Sequence, residues 1–570
     1  MSSPSLSCSE KDIRVVVGID VGSTFSGIAF AETATPEKIE TNNDWPERKN
    51  EPKTNTALQY DEQLNLVKWG FPGLAEKISK KHKLTKPVEM IKFQLVNDSN
   101  INDRIATEYK ISVSLPPGLD NVRVISDYLR ELGKVLKNAL STRWPELNFE
   151  EDVLLVMAVP SEYNEELLET MRRCAFEAGL ISSITSENLE FIQDSEAAAI
   201  ACLEMSKQQK LLSAGESFMV VDCGGITTNL CMGTLFTNDK LGETTRTTTE
   251  FCGSALIDYE FKKYLGQKIG ESALKTLEQK HYPQLQYLIQ HFSKEVKHPF
   301  DGNKETWQTR EIDLEDICPV SIQYIGEYER TELEKFDWLI ELDFELVEKF
   351  FESAVEKIIR AIQEKLSVFS STHGQKKISA IFLVGGFAES KHLFMKISKE
   401  FKDSVRIISV LSNPITSVMR GAVLSGLKED TSHTRILKRT YGIEICRDWT
   451  PSDPINRKDA RSLIDIFSPI VKRGTKVSID QEFKFIGQPA FSRASRIEIG
   501  IFSTESDDAK YCDEPGMQFL GKLEIDLWDV HLGLERDVEI LLKFDRLETV
   551  VSATSLTTGE IVNTKFKLHV

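Results

Sequence analysis

The sequence has no long apolar run, no framework of paired cysteines and no excess of positive charge. None of its hydrophobic stretches approaches the roughly 18–20 residues that span a bilayer, and the N-terminus has no apolar core of a secretory signal. The nine cysteines are scattered without a C-x-x-C pair, which is typical of reduced thiols in the cytosol. A net charge of -18 argues against binding to nucleic acid or to an anionic membrane. We therefore expect a soluble, cytoplasmic protein that binds neither.

One unusual turn is present twice in the chain. Each copy has an apolar strand, an Asp, a run of small residues and a second strand; the copies are Asp20-Val-Gly22-Ser23-Thr24-Phe25 and Asp222-Cys-Gly224-Gly225-Ile226-Thr227. Glycine lets backbone amides approach an anion, and successive amides in a tight turn form an anion-binding nest. An Asp beside such a nest can hold hydrated Mg²⁺. The repetition predicts two turns that close on one nucleotide polyphosphate.

The repeat extends beyond the two turns. After the first hairpin, a strand at 153–160 leads into a helix at 165–179; after the second, a strand at 378–384 leads through a glycine turn into a helix at 391–401. This order predicts two related α/β lobes with a cleft between them. Further helices are predicted at 343–369 and 415–427.

The length of 570 residues exceeds what one core supports, and the pattern changes near residue 430. From Arg435 onward apolar and polar residues alternate between recurring turns, which is typical of an antiparallel β-sandwich. The predicted domains are lobe I at 12–212, lobe II at 213–427, a polar linker at 428–434 and a β-sandwich at 435–570.

In these motifs the chain resembles the heat shock protein 70 family of the actin-like ATPase superfamily. The two turns are similar to that family's phosphate loops, and Val384-Gly385-Gly386-Phe387 to its adenosine loop. The stretch from Leu542 to Glu560 resembles strands of its peptide-binding sandwich. The sequence from Leu383 to Ser390 is similar to that of the divergent twelfth branch of the family. The resemblance implies a two-lobed actin-like ATPase fold followed by an all-β sandwich. Unlike standard members of the family, this chain is expected to have no helical lid after the sandwich.

The resemblance also implies ATP or ADP and Mg²⁺ as cofactors. Asp20 and Asp222 are then the carboxylates that hold the metal through water, and both belong, with Lys92 and Asp194, to the catalytic set. Lys92 is expected next to the γ-phosphate and Lys297 near the adenosine. The residues implied in nucleotide binding are Gly22, Ser23, Thr24, Phe25, Gly224, Gly225, Thr227, Lys297, Gly385, Gly386 and Phe387.

Three positions depart from the family pattern. Ile226 replaces a glycine, and we expect its β-branched side chain to crowd the phosphates. Asn229 replaces an aspartate near the metal, and Asp194 replaces a glutamate that orders the attacking water. Because misplacing a catalytic group by about 1 Å can cost roughly a hundredfold in rate, we expect hydrolysis to be slow or absent.

Three functions remain open at this point. The first is an ATP-binding, chaperone-like protein whose β-sandwich engages polypeptide clients or partner proteins. The second is a nucleotide-binding scaffold without turnover, which the three departures favour. The third is a small-molecule kinase of the same superfamily, which would need an acceptor pocket with a catalytic base.

Overall fold

The structure is a computed structural model, and it describes most of the chain. The described residues are 13–77, 85–93, 95, 104, 107, 109, 115–235, 241–372, 377–427, 434–437, 439–478, 481–544 and 548–567. The chain divides into two compact units, one formed by residues up to Leu235 and from Thr245 to Glu429, the other by Phe236–Thr244 and Asp430–Val570. Of the predicted linker at 428–434, residues 428–433 lie outside the described residues.

Two sheets of the first unit repeat one strand order. In the first sheet the order is Leu189–Gln193, Val153–Val159, Val15–Val21, Phe25–Glu32 and Glu40–Thr41; in the second it is Ile407–Val410, Ala380–Val384, Ser217–Cys223 and Thr228–Leu235. The strand Leu241–Glu250 begins in the second unit and ends in the first. In each sheet the first three strands are parallel and the third forms an antiparallel hairpin with the fourth. The strand repeat predicted from the sequence is therefore confirmed, and we call the two strand pairs the first and second hairpins.

The helices of the first unit follow the sequence pattern closely. Asn164 caps one of them by accepting a hydrogen bond from the Leu167 amide, and Gly179 follows its end with φ of 71°. The longer helices are Asn121–Arg143, Glu165–Glu177, Asp194–Gln209, Ala255–Ile269, Glu271–Lys280, Tyr282–Phe292, Glu327–Glu334, Phe344–Thr372, Lys391–Phe401 and Ser417–Leu427. Within the described ranges no helix is both long and apolar enough to cross a lipid bilayer.

The shorter elements of the first unit lie between these helices and strands. The helices are Phe71–Leu74, Phe149–Asp152 and Leu314–Ile317, and the strands are Asp44–Trp45, Arg48–Lys49, Thr54–Asn55, Leu58–Tyr60, Leu66–Trp69, Arg310–Asp313 and Leu339–Leu342. Among them, Thr54–Asn55 pairs with the start of the second strand of the first hairpin. This short ladder places the chain around residue 53 beside the first hairpin.

One helix joins the two halves of this unit. Ser417–Leu427 follows the second sheet in sequence, yet it packs on the strand Val15–Val21 and on the helix Asp194–Gln209. The approach is close enough that a Cβ at Gly421 would overlap the backbone of Ala197. Such contacts require glycine, and they tie the first hairpin to the second half of the unit.

The second unit contains two four-stranded antiparallel sheets. Their strand orders are Leu463–Val471, Thr440–Asp448, Arg496–Thr504 and Met517–Asp526, and Gln481–Gly487, Val538–Phe544, Glu548–Ser555 and Ile561–Lys567. A short ladder joins Thr434–Ile436 to Lys476–Ser478. Residues of both four-stranded sheets share one buried apolar cluster, which includes Ile443, Ile501, Ile540 and Leu542. Alternate residues of Val538–Phe544 are buried, as expected for a strand with one face on a core.

Candidate functional site

The two repeated turns line one cavity in the first unit. Its volume is about 910 Å³, which is within the range of small-molecule sites. Every residue that the sequence assigned to the site lines this cavity: Asp20, Gly22, Ser23, Thr24, Phe25, Lys92, Asp194, Asp222, Gly224, Gly225, Thr227, Lys297, Gly385, Gly386 and Phe387. Asn229 lines it as well. The structure thus brings together residues that lie up to 367 positions apart (387 − 20) in the sequence.

Glycines allow the close approaches around this cavity. A Cβ at Gly225 would overlap the side chain of Thr24, so the second turn lies directly against the first. Gly385 has φ of 83°, and a Cβ there would lie 2.5 Å from Asp222 Oδ1. Any side chain at these two positions would therefore separate the turns or push against a site carboxylate.

Backbone hydrogen bonds hold the second turn in shape. The Gly224 amide donates to the Thr227 carbonyl at 2.9 Å, and the Ala255 amide donates to the Gly225 carbonyl at 2.8 Å. The Ile226 carbonyl accepts from the Gly253 amide at 2.9 Å and from the Tyr109 hydroxyl. The turn is thus fixed to the start of the helix Ala255–Ile269.

Tyr109 is a residue that the sequence analysis did not identify. Its hydroxyl donates to the Ile226 carbonyl and accepts from the Gly253 amide at 3.1 Å, and the residue lines the cavity. It therefore supports the second turn from a distant part of the chain. No local sequence signal marks it, because both of its partners are backbone groups.

Three buried carboxylates form the charged centre of the cavity. Asp20 and Asp222 stand at equivalent ends of the two hairpins, and Asp194 begins the helix Asp194–Gln209. All three side chains are buried. Oδ2 of Asp194 accepts a hydrogen bond from Lys92, whereas its Oδ1 is buried without a protein partner. An unpartnered buried carboxylate oxygen is costly unless a ligand or water satisfies it.

Two lysines neutralise part of this negative charge. Lys92 pairs with Asp194, and the Tyr163 hydroxyl donates to the Lys92 carbonyl at 2.8 Å and so fixes its backbone. Lys53, which the sequence analysis missed, donates to Asp20 Oδ2 at 2.5 Å. Three carboxylates and two ammonium groups leave one net negative charge, which suits a site for a cation together with an anion.

The pKa values reflect this burial and crowding. Burial, with the nearby carboxylates of Asp194 and Asp20, raises the pKa of Asp222 to about 6, although Lys53 and Lys92 oppose the shift. Burial likewise raises the pKa of Asp194. For Lys92, burial favours the neutral form, but the surrounding carboxylates outweigh it and raise the pKa. The ammonium of Lys92 is therefore charged at neutral pH.

The expected effect of Ile226 on the phosphates is wrong. Its side chain is fully buried in the apolar cluster that includes Phe251 and Leu256, and it is absent from the residues that line the cavity. Its φ does not fall in the left-handed region, so the position makes no demand for glycine. Because the side chain points into the core, a β-branched residue is accommodated without crowding the cavity.

Lys297 lies deep in a different part of the cavity wall. It ends a π-helical turn at Ser293–Lys297, and its Nζ donates to both carboxylate oxygens of Asp258 at 2.7 Å. Such π-helical turns are frequent at functional sites. The ion pair keeps the ammonium beside the cavity, where contact with an adenosine remains a prediction.

Within the described part of the chain, no group of three His, Cys, Asp or Glu side chains is close enough to ligate a metal ion directly. The acidic centre fits a hydrated cation better, because Mg²⁺ commonly keeps several waters and few carboxylate partners. The described cysteines are all free thiols, including Cys223 beside the second turn.

Comparisons with known proteins agree with the motifs. Residues 213–410 match a family described as "Domain of unknown function (DUF8340)". The chain is 22% identical to human heat shock 70 kDa protein 12A over 97% of its own length and 91% of the relative. The mouse heat shock 70 kDa protein 12A is 23% identical, and human heat shock 70 kDa protein 12B is 22% identical, with the same coverage. The chain is therefore similar, over nearly its whole length, to heat shock 70 kDa proteins 12A and 12B.

Proposed function

We propose that this protein binds ATP and ADP with Mg²⁺ in the cavity between two actin-like lobes. The observation that carries the proposal is that two glycine-rich turns, each with a buried aspartate, line one cavity and lie against each other. Amides and hydroxyls of the turns would contact the β- and γ-phosphates, and Gly385 and Gly386 would lie against the adenosine. Asp20 and Asp222 would hold Mg²⁺ through water, and the metal would neutralise phosphate charge.

Thermal unfolding tests this proposal without assuming hydrolysis. A ligand that binds only the folded state stabilises it by RT ln(1 + c/Kd), where c is the free ligand concentration, so the unfolding midpoint rises with the logarithm of the ligand concentration above Kd. We expect MgADP and MgATP to raise the midpoint of the full chain, and Asp20→Ala to fold but to lose the shift. A wild-type midpoint that does not respond to millimolar nucleotide would contradict the proposal.

We propose further that hydrolysis is slow. Asp194 is held by Lys92, so one of its oxygens is committed to an ion pair while only Oδ1 is left to orient water. Asn229, opposite Asp222 in the second hairpin, adds no negative charge for a metal. Both features support binding without rapid turnover, and a nucleotide-gated scaffold is the second candidate function. Turnover measured at micromolar enzyme separates the two: single-digit turnovers per hour fit slow hydrolysis, whereas none fits the scaffold.

The second unit supports a role in binding polypeptides. We propose that its two sheets form a β-sandwich and that the segment between Asp526 and Val538 contacts an extended apolar peptide or partner protein. Trp528 is 72% exposed in this segment, and Leu532 and Leu534 are also exposed. Large exposed apolar side chains that lie together commonly mark interaction sites.

A buried arginine supports this segment. Arg536 is fully buried and donates to the carbonyls of Gly533, Ala494 and Ser492, at 2.7, 2.6 and 3.0 Å. The contacts tie the segment to the neighbouring loop at 491–494, so the apolar side chains are presented from a fixed backbone.

Fluorescence anisotropy with labelled apolar peptides tests this part of the proposal. Trp528→Ala and Leu534→Ser should weaken binding, whereas Ile455→Ser, an exposed apolar residue outside the segment, should not. Equal binding by all three variants and the wild type would show that the segment between Asp526 and Val538 does not bind the peptide. Phosphoryl transfer to a metabolite would instead favour the small-molecule kinase.

A further inference from the structure

Lys53 is held inside the cavity by a short ion pair. Its Nζ lies 2.5 Å from Asp20 Oδ2, and the two side chains are only 10% and 6% exposed. An ion pair this deeply buried needs good geometry to offset the loss of hydration. The pair is therefore a specific feature of the cavity, unlike the exposed lysine pairs elsewhere on the chain.

The first hairpin has space for the Lys53 side chain beside Gly27. Thr54–Asn55 pairs with Phe25 and Ser26, which brings the preceding residue, Lys53, beside Gly27. Gly27 is the residue directly opposite Asp20 in the hairpin. A Cβ at Gly27 would lie 2.7 Å from Met419 Sδ and 2.8 Å from Lys53 Cγ, so glycine here leaves room for the lysine stem beside the hairpin.

The positive charge of Lys53 interacts with both Asp20 and Asp222. It pairs with Asp20 and opposes the rise in the pKa of Asp222. Across the second hairpin, Asp222 faces Asn229, which is uncharged. Asn229 therefore contributes no carboxylate to the charged centre. In addition, the Lys53 ammonium is already paired with Asp20, a carboxylate that a metal ion would use.

We propose that Lys53 acts as an internal cation at Asp20, so that nucleotide binding in this protein depends only weakly on Mg²⁺. This inference rests on the proposed nucleotide function. While Lys53 holds Asp20, that carboxylate accepts fewer hydrogen bonds from metal-bound water, and the ammonium supplies positive charge next to the phosphates. Lys53 thus occupies Asp20 and also places its own charge beside the phosphates, and it sets how much the site gains from the metal.

Calorimetric titration of ATP, in Mg²⁺ and in EDTA, tests this proposal. We expect the Kd of the wild type to differ by less than about threefold between the two conditions. In Lys53→Met, which keeps the stem and removes the charge, binding in EDTA should weaken by at least about tenfold while binding in Mg²⁺ is retained. Lys53→Arg, which keeps a positive charge, should restore the wild-type ratio of the Kd in EDTA to the Kd in Mg²⁺. If Lys53→Met acted only by disturbing the structure, Lys53→Arg would not be expected to restore this ratio.

The matched control is Lys68→Met. Lys68 is also a partly buried lysine in an ion pair, with Glu76 at 3.0 Å, but it does not line the cavity. For Lys68→Met, the ratio of the Kd for ATP in EDTA to the Kd in Mg²⁺ should equal that of the wild type. If EDTA weakens binding to the wild type as strongly as to Lys53→Met, the proposal is overturned.

A second measurement needs no nucleotide. Titration of Mn²⁺, followed by the electron paramagnetic resonance signal of the free ion, reports the affinity of the acidic centre for a divalent cation. Lys53→Met should bind Mn²⁺ at least about tenfold more tightly than the wild type or Lys68→Met, because Asp20 is released. Equal Mn²⁺ affinities would overturn the competition between Lys53 and the metal. Absence of ATP binding in every variant would overturn the nucleotide proposal, while the Mn²⁺ comparison would still decide the role of Lys53.

Discussion

Asp20 and Asp222 occupy equivalent positions in the two hairpins but face different partners. Asp20 lies opposite Gly27, and Asp222 lies opposite Asn229. Gly27 leaves space beside the hairpin for Lys53, which pairs with Asp20, whereas Asn229 lines the cavity beside Asp222 with a neutral amide. The repeated hairpins therefore give one carboxylate that is paired with a lysine and one whose pKa is raised to about 6.

Asn229→Asp should raise ATP turnover. The change adds a carboxylate opposite Asp222, where it can help hold the hydrated metal against the phosphates. We expect an increase on the order of tenfold in the rate of phosphate release at saturating MgATP. Asn229→Ser, which also removes the amide but adds no charge, is the control. Equal rates in both variants and the wild type would show that this position does not limit hydrolysis.

Ile226→Gly should destabilise the protein without increasing turnover. The side chain is fully buried in the apolar cluster, and its removal leaves a cavity that costs roughly 3–5 kcal/mol of unfolding free energy. Denaturant unfolding measures the loss, and Ile226→Val should lose only about 0.5–1.5 kcal/mol. A glycine variant as stable as the wild type and faster in hydrolysis would instead restore the idea that Ile226 crowds the phosphates.

Tyr109→Phe should weaken nucleotide binding by loosening the second turn. The variant loses both hydrogen bonds of the hydroxyl, to the Ile226 carbonyl and from the Gly253 amide, while its ring still fills the same space. We expect Kd for ADP to rise about 5- to 30-fold. Tyr60→Phe, which removes a buried hydroxyl bound to Asp127 away from the cavity, should leave Kd unchanged. Equal affinities in both variants would argue against the supporting role of Tyr109.

His392 should make stability fall as the solution becomes acidic. Burial lowers its pKa from 6.5 to about 4, with Lys396 lowering it further and Glu348 and Asp301 opposing. Its ring packs beside Phe300 and Phe351. Because the folded state holds the neutral form, its contribution is present above pH 6.5 and is lost as pH falls toward 4.

The measurement for His392 is the thermal unfolding midpoint at pH 7.5 and pH 5. The wild type should lose more stability between these values than His392→Gln, which cannot take up a proton. The other histidines cancel in this comparison because they are unchanged in the variant. The same loss in both proteins would mean that His392 does not carry the pH dependence.

The sequence predicted the parts of the fold that depend on local pattern. The hairpins, the helix Lys391–Phe401 and the glycine turn at Gly385 follow from periodicity and turn chemistry, and all fifteen assigned site residues line one cavity. Lys53 and Tyr109 escaped prediction because their roles depend on tertiary contacts: a short ladder places one beside Gly27, and the other binds backbone groups of a distant turn.

The sequence pattern also did not predict the direction in which the Ile226 side chain points. Ile226 stands among residues that line the cavity, and the family pattern alone suggested that it does the same. In the structure it is fully buried in the core, and its φ is not positive. Whether a turn residue faces a ligand or a core is decided by dihedral angles that residue type does not fix.

Calorimetric titration of ATP and ADP with Mg²⁺ tests the central claim, that both turns build one nucleotide site. We expect saturable binding of one nucleotide per chain to the wild type. We also expect Asp20→Ala and Asp222→Ala, each shown to be folded, separately to weaken that binding by at least about tenfold. No binding to the wild type, or full affinity in either variant, would contradict it.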